Sequence, residues 1–204
     1  MIIWEGNKKE FGTSHSGPLI PEGAVLLRKT DGFVEKSLPY GVLPAIICGL
    51  TVFLKAFLNK KMPVEPIFLI PAFVIGILVA MPLHEFLHAL CYPKGATVWV
   101  GLCLRKMAAY AISYDPLSKA RFIIMSFAPA FLGIIPLITF IIAPITMKPV
   151  LTICMVLSFM GLISPAPDYM DIITVLRKAP KESYICDSPV GLYACIQGSE
   201  HEGE

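Results

Sequence analysis

The sequence predicts an all-α membrane protein with about four transmembrane helices and a small cytoplasmic β-hairpin between spans two and three. Three observations support this fold class. Hydrophobic residues make up 55% of the 204-residue chain and charged residues only 16%, a balance too apolar for an ordinary soluble domain. The apolar residues are bunched in long runs rather than spaced periodically. The basic residues gather beside alternate ends of those runs.

Four apolar runs have the length of a membrane span. They cover residues 39–58, 66–83, 122–147 and 150–167. Only the first contains a charged residue, Lys55. At about 1.5 Å per helical residue, each run can cross roughly 30 Å of hydrocarbon. We therefore expect a four-span membrane domain at residues 39–178, a cytoplasmic N-terminal segment at 1–38 and a cytoplasmic C-terminal tail at 179–204.

The basic residues indicate which way the spans cross the membrane. Short cytoplasmic loops of membrane proteins are enriched in lysine and arginine. With a cytoplasmic N-terminus, thirteen of the seventeen basic residues lie inside. These are Lys8, Lys9, Arg28, Lys29, Lys36, Lys94, Arg105, Lys106, Lys119, Arg121, Arg177, Lys178 and Lys181. Both termini, and the loop at residues 92–121, are therefore predicted to be cytoplasmic.

Two short segments favour strands. Residues 96–104 alternate loosely between apolar and polar types, and residues 107–114 continue the pattern after Arg105 and Lys106. Their β-branched and aromatic content predicts a hairpin on the cytoplasmic surface. Residues 26–34, interrupted by an Asp-Gly pair, predict a second hairpin.

Charge and cysteine usage exclude several other classes. A net charge of +2, scattered along the chain, does not indicate a nucleic-acid partner. The six cysteines contain no CxxC pair, so neither a disulfide framework nor a cysteine zinc site is indicated.

His84, Glu85 and His88 form an HExxH motif at the end of the second apolar run. Residues four apart lie on one helical face, so both imidazoles can reach a single ion while Glu85 stands beside it. Two neutral imidazoles suit Zn²⁺, and a neighbouring carboxylate can accept a proton from an activated water. The pattern predicts His84 and His88 as zinc ligands and Glu85 as general base. The alternative is that the three side chains only form hydrogen bonds within the helix bundle.

A zinc hydrolase needs a third protein ligand and an open position on the metal. His15 and His201 lie in the terminal segments, whereas Asp168 and Asp171 follow the fourth run at the depth of the HExxH motif. The intervening residues 164–167 contain two prolines, and irregular backbone at this depth is tolerated where it lines a wet cavity. We predict that one of the two aspartates binds the metal. The alternative role for Asp168 is to cap the helix that follows.

Several segments resemble one family. HEFLH at 84–88, SFAP at 126–129, APD at 166–168 and the strand-rich stretch after the first motif are similar to the small bacterial zincin peptidases related to site-2 proteases, integral membrane proteins with an HExxH motif. The similarity covers roughly residues 66–187. It implies Zn²⁺ as cofactor and Asp168 as third ligand, because the family's aspartate precedes an apolar stretch ending in a basic residue, here Arg177. Pro167 replaces the usual glycine, which leaves Asp171 as the alternative third ligand.

The motif and the resemblance together predict a zinc-dependent, membrane-embedded endopeptidase of the bacterial cell membrane, which hydrolyses peptide bonds at or near the cytoplasmic membrane face. The expected partners are the lipid bilayer and, as substrate, a membrane protein or membrane-anchored peptide. The hairpin at residues 96–114 offers an edge on which unwound substrate could add as a strand. The alternative is a non-catalytic zinc-binding membrane protein with a regulatory or assembly role. A metal transporter is disfavoured, because the motif lies at one end of its helix and no second polar cluster occurs in the outer half of any span.

Overall fold

The computed structural model describes residues 1–7, 20, 23–103 and 108–196. Within them, four helical stretches are long and apolar enough to cross a membrane, as predicted, and are called spans one to four here: Phe33–Asn59, Pro66–Leu90, Lys119–Ile142 and Lys148–Lys178. His15, His201 and residues 104–107, which would form the turn of the predicted hairpin, lie outside the described residues.

Each span is built from two α-helices, and in span one the first of them is short. The helices are α1 Phe33–Ser37, α2 Val42–Asn59, α3 Leu69–Ile75, α4 Met81–Leu90, α5 Lys119–Phe127, α6 Phe131–Ile142, α7 Lys148–Ile163 and α8 Ala166–Lys178. Proline lies at or beside every break, at Pro39, Pro82, Pro129 and Pro165. Proline has no N–H and its ring crowds the carbonyl four residues earlier, which explains the interruptions.

The fourth span is central and the first two are peripheral. Only 11% of the apolar window in each of spans one and two is buried within the protein, against 44% in span four. Helices α6 and α7 approach closely where Gly133 meets Gly161, because a Cβ on either glycine would lie within 2.6 Å of the other helix's backbone. The charge of Lys55 within span one is satisfied by the carbonyl oxygens of Phe140, Ile141 and Ala143 at 2.6–3.0 Å.

Two β-sheets accompany the helices, so the expectation of an all-α fold is wrong and the architecture is mixed. The strands are β1 Ile2–Asn7, β2 Val25–Lys29, β3 Val98–Cys103, β4 Ala108–Ile112, β5 Leu117–Ser118, β6 Ser183–Ser188 and β7 Gly191–Ile196. One sheet has the order β1-β3-β4 and the other the order β2-β7-β6-β5. The strands β3 and β4 pair antiparallel between spans two and three, as the hairpin prediction requires.

The prediction of a second hairpin, at residues 26–34, is wrong. Strand β2 pairs with β7, far along the chain, and the residues after the Asp-Gly pair start helix α1 instead of a returning strand. The sheet that contains β2 packs on α5 and α8 through a buried core that includes Leu27, Phe122, Val175 and Ile185. This core fixes β2 beside the helix that carries both candidate aspartates.

Candidate metal centre

The helix that carries the HExxH motif is widened one turn before it. Residues Gly76–Ala80 form a π-helical turn between α3 and α4, in which the N–H of Met81 donates to the carbonyl oxygen of Gly76. The next residue, Pro82, cannot donate to a carbonyl four residues back, and the wide turn accommodates its ring. Single π turns inside helices recur at functional sites. Span two therefore remains helical through Pro82, and the HExxH motif lies in its last turns.

The two histidines point their Nε2 atoms at the same place. The Nε2 atoms of His84 and His88 are 3.2 Å apart, and the two rings meet edge to face. The Nδ1 atom of His88 lies 3.0 Å from the carbonyl oxygen of Met125. A carbonyl can only accept, so Nδ1 of His88 carries the proton and Nε2 presents a lone pair. This hydrogen bond orients the buried His88 ring as a metal ligand requires.

Asp168 completes the group from the other side. It lies in the first turn of α8, where its Oδ2 is 3.4 Å from Nε2 of His84 and its Oδ1 is 3.5 Å from Nε2 of His88. The residue at the N-cap of α8 is Pro165, so the capping role considered for Asp168 is wrong. The side chain turns into the protein instead of back onto its own helix.

The separations of these atoms suit a tetrahedral ion. Zinc bonds nitrogen at about 2.0–2.1 Å and carboxylate oxygen at about 2.0–2.2 Å, so two ligand atoms of one tetrahedral ion lie roughly 3.3–3.5 Å apart. The Nε2 atoms of His84 and His88 are 3.2 Å apart, and they lie 3.4 and 3.5 Å from the two different oxygens of the Asp168 carboxylate. Two nitrogen lone pairs and a carboxylate facing one point also require a cation or a proton between them. The donor set therefore fits zinc with three protein ligands.

Asp171 is engaged elsewhere. Its Oδ1 accepts from Nε of Arg28 at 2.5 Å and its Oδ2 accepts from Nη2 at 2.9 Å. Both side chains are mostly buried, and the guanidinium also lies 4.0 Å from the centre of the Phe33 ring. The arrangement is a bidentate, charge-assisted pair. Both oxygens of Asp171 are thus occupied one helical turn away from Asp168.

Glu85 lies beside the group without belonging to it. Among the described residues, the group whose ligand atoms all lie within 4.8 Å of one another consists of His84, His88 and Asp168. Ala111 in β4 lies beside the Glu85 carboxylate, and both residues line one cavity. Within the described residues, β4 is the last strand of its sheet. This strand and the general-base candidate therefore lie next to each other.

Two cavities meet at the motif. A polar cavity of about 320 Å³ is lined by the metal-binding group, Glu85, the Arg28–Asp171 pair, Asp187 and Tyr92. Burial, with the nearby negative charges of Asp187 and Asp115, raises the pKa of the Tyr92 hydroxyl, which keeps this group neutral. A second, mostly apolar cleft of about 560 Å³ runs between spans two and four. It is lined by Phe73, Gly76, Met81, Phe159, Met160 and, at its end, His84, Glu85 and Ala109 of β4.

The structure brings together residues that the sequence predicted and one that it missed. His84, Glu85, His88 and Asp168 surround one cavity as expected. Arg28 in β2 was not anticipated. A buried aspartate needs a counter-charge, so the sequence could have predicted that Asp171 pairs with a basic residue. No local pattern identifies which of the seventeen basic residues is the partner.

Comparison with known proteins adds a family assignment. A family model described as "Putative zincin peptidase" matches residues 77–184, which is just over half of the chain. The matched segment runs from the π turn through α8 and includes all four residues of the candidate site. Arg28 lies outside it. No curated protein and no solved structure matches the chain.

Proposed function

The chain belongs to this zincin peptidase family, and we propose that it is a zinc-dependent endopeptidase embedded in the membrane, which hydrolyses peptide bonds at or near the cytoplasmic membrane face. The observation that carries the proposal is the convergence of His84, His88 and Asp168: the two Nε2 atoms are 3.2 Å apart and each lies within 3.5 Å of an oxygen of the Asp168 carboxylate, close to the spacing of ligand atoms around one zinc ion. We assign these three residues as the zinc ligands and Glu85 as the catalytic base. Asp171, which was the alternative third ligand, is assigned to the ion pair with Arg28.

The chemistry follows from what each side chain can do. When bound, the ion supplies Lewis-acid activation of a water molecule and of the substrate carbonyl. Glu85 takes the proton from the attacking water and returns it to the departing amine. Ala111 lies beside the Glu85 carboxylate, and the carbonyl of Met125 holds the His88 ring. The neutral hydroxyl of Tyr92 is a hydrogen-bond donor in the same cavity.

The proposed substrate is a membrane protein or a membrane-anchored peptide. A helical segment shields its carbonyls in its own hydrogen bonds, so it must unwind before cleavage. Among the described strands β4 is the last of its sheet, so its outer edge can pair with an extended chain, and Ala109 and Ala111 place β4 beside Glu85. The apolar cleft between spans two and four leads to the same point and suits the side chains of a membrane segment.

The proposed setting is the bacterial cell membrane, with both termini in the cytoplasm. The four apolar helices and the excess of basic residues at one end of them support this arrangement. A relationship to the site-2 proteases, a division into segments 1–38, 39–178 and 179–204, and the absence of a nucleic-acid partner remain predictions.

The test separates metal binding from catalysis. Detergent-purified protein and its Glu85→Gln, His84→Ala and Glu182→Gln forms are assayed for zinc content and for cleavage of a membrane-anchored peptide. The amide of Glu85→Gln cannot accept a proton, so zinc should stay near one per chain while cleavage falls by about 10²–10⁴-fold. His84→Ala should lose zinc. Glu182 is exposed, and its variant is the matched control.

Each other outcome has a defined meaning. Full cleavage by folded Glu85→Gln protein excludes this residue as the base. Cleavage that persists after complete removal of zinc excludes a metallopeptidase. Stoichiometric zinc with no cleavage of any membrane peptide favours the non-catalytic alternative, a zinc-binding regulatory or assembly protein.

A further inference from the structure

A second groove lies on the other side of Arg28 from the metal centre. It encloses about 450 Å³ between strand β2, helix α1 with the turn after it, and the last turns of α8. Its walls are formed by Leu26, Leu27, Arg28, Lys29, Lys36, Tyr40, Met170, Thr174 and Lys178. Four of these nine residues are basic and none is acidic. The groove is therefore a concentrated positive site, and the endopeptidase mechanism does not use it.

The lysines of this groove have no carboxylate partner within the described part of the chain. The ammonium of Lys36 donates to the carbonyl oxygen of Asp31 at 2.8 Å, and that of Lys178 donates to the carbonyl oxygen of Leu27 at 3.0 Å. An ammonium has three N–H donors, so each retains two. Lys29 is exposed and forms no ion pair with any residue that the structure describes. Arg28 differs, because Asp171 neutralises it.

Two acidic side chains lie near the groove without forming part of its walls. Asp31 and Glu35 are exposed on the neighbouring turn and helix, but neither lines the groove. The groove also offers neutral donors, the hydroxyls of Tyr40 and Thr174. Ammonium and hydroxyl donors around one space are the chemistry that binds a phosphate oxygen.

The position of the groove relative to the spans identifies the source of that phosphate. Span one begins at Phe33 and span four ends at Lys178, so both ends meet here at one membrane boundary. Exposed apolar side chains occur on the same elements: Val34 is 63% exposed, Leu38 64% and Leu176 56%. A polar, basic groove flanked by outward apolar side chains matches a lipid, with a charged headgroup above acyl chains.

We propose that this groove binds the phosphate headgroup of an anionic phospholipid at the membrane face where the metal centre lies. The proposal rests on the membrane embedding in the proposed function, but not on catalysis. Arg28 lines both the groove and the catalytic cavity. A bound headgroup therefore holds β2 against α8, the helix that carries Asp168 and Asp171.

The experiment measures lipid binding to purified, zinc-loaded protein in a neutral detergent. The probes are short-chain phosphatidylglycerol, phosphatidylcholine of the same chain length, and inorganic phosphate. Binding is read by native mass spectrometry and by the shift of the thermal unfolding midpoint. The test variant is Lys29→Gln/Lys36→Gln. Lys178 is retained because it ties β2 to α8. The control is Lys60→Gln/Lys61→Gln, which removes two exposed lysines from the loop between spans one and two.

Phosphatidylglycerol should bind and stabilise the parent and the control, whereas phosphatidylcholine should not. The double variant should bind about 30-fold more weakly, since each basic residue near an anionic membrane surface contributes about a factor of five. Equal binding by the parent and the double variant overturns the proposal, as does equal binding of the two lipids. Stabilisation by inorganic phosphate as strong as by phosphatidylglycerol overturns the lipid as occupant.

The result is separable from the fate of the proposed function. The same titration on Glu85→Gln protein should give an unchanged lipid affinity. Lipid binding without zinc or cleavage leaves the groove assigned and refutes the peptidase. Zinc-dependent cleavage with no preference for the anionic lipid refutes only the groove.

Discussion

Asp168 and Asp171 lie one helical turn apart, and we predict opposite consequences when each is changed to alanine. On the proposed assignment, Asp168→Ala removes a direct bond to the metal. Asp171→Ala leaves the ligands in place but leaves the buried Arg28 guanidinium without a counter-charge. We therefore expect Asp168→Ala to lose zinc while the metal-free protein keeps most of its stability. Asp171→Ala should lower zinc affinity only by the smaller factor typical of a residue that does not bind the metal. Its metal-free form should lose stability.

The structure sets the size of both effects. The side chains of Arg28 and Asp171 are only 12% and 13% exposed, and two hydrogen bonds of 2.5 and 2.9 Å join them. Removing one member of such a buried pair costs about 3–5 kcal/mol, a large part of a typical total stability of about 5–15 kcal/mol. A change beside a metal ligand lowers metal affinity by about 10–100-fold, and loss of the ligand itself should exceed that range.

The assay combines two measurements on each protein. Competition with a chelator of known affinity reports the zinc dissociation constant, and thermal unfolding of the chelated form reports stability. The Arg28→Met single variant and the Arg28→Met/Asp171→Ala double variant complete a double-mutant cycle with Asp171→Ala. The double variant should recover part of the lost stability, because an apolar side chain replaces the unpaired cation.

Two outcomes would refute the reasoning. Retention of zinc by Asp168→Ala, with its loss in Asp171→Ala, would exchange the roles of the two aspartates. An Asp171→Ala protein as stable as its parent would show that the ion pair does not hold β2 to α8.

Two further predictions test orientation and packing. In a cysteine-depleted background, Met62→Cys should react only with reagent added outside, and Lys94→Cys only with reagent on the cytoplasmic side. The reason is that thirteen of the seventeen basic residues lie at the end predicted to be cytoplasmic. The opposite labelling pattern would show that the predicted orientation is reversed. Gly133→Ala should destabilise the protein by about 1–3 kcal/mol, because its Cβ would meet the backbone of α7 at 2.6 Å. Gly49→Ala, whose Cβ meets nothing within 4 Å, should stabilise its helix by about 0.5–1 kcal/mol. Equal thermal midpoints for the two variants would contradict this close helix approach.

The sheets were the part of the fold that sequence reasoning largely missed. Strand β1 pairs in parallel with β3, with Ile2 opposite Val98, and β2 pairs with β7, with Val25 opposite Ala194. No local sequence pattern predicts a partner strand so far along the chain, because strand pairing depends on where the packed helices place each strand. Only β3 and β4, neighbours in sequence, were predicted as a pair. The hairpin of β6 and β7 lies in residues that were expected to be a tail.

The sequence by itself determined the four apolar spans and the shared face of His84 and His88, since both follow from the length and period of a helix. It also narrowed the third ligand to two aspartates. Only the tertiary structure decided which of them turns toward the histidines, because the answer depends on Arg28. That residue lies 143 positions before Asp171, and strand pairing with β7 holds it beside α8. The burial of a carboxylate with its counter-charge is a non-local event. The guanidinium secures Asp171 and leaves Asp168 facing the two imidazoles.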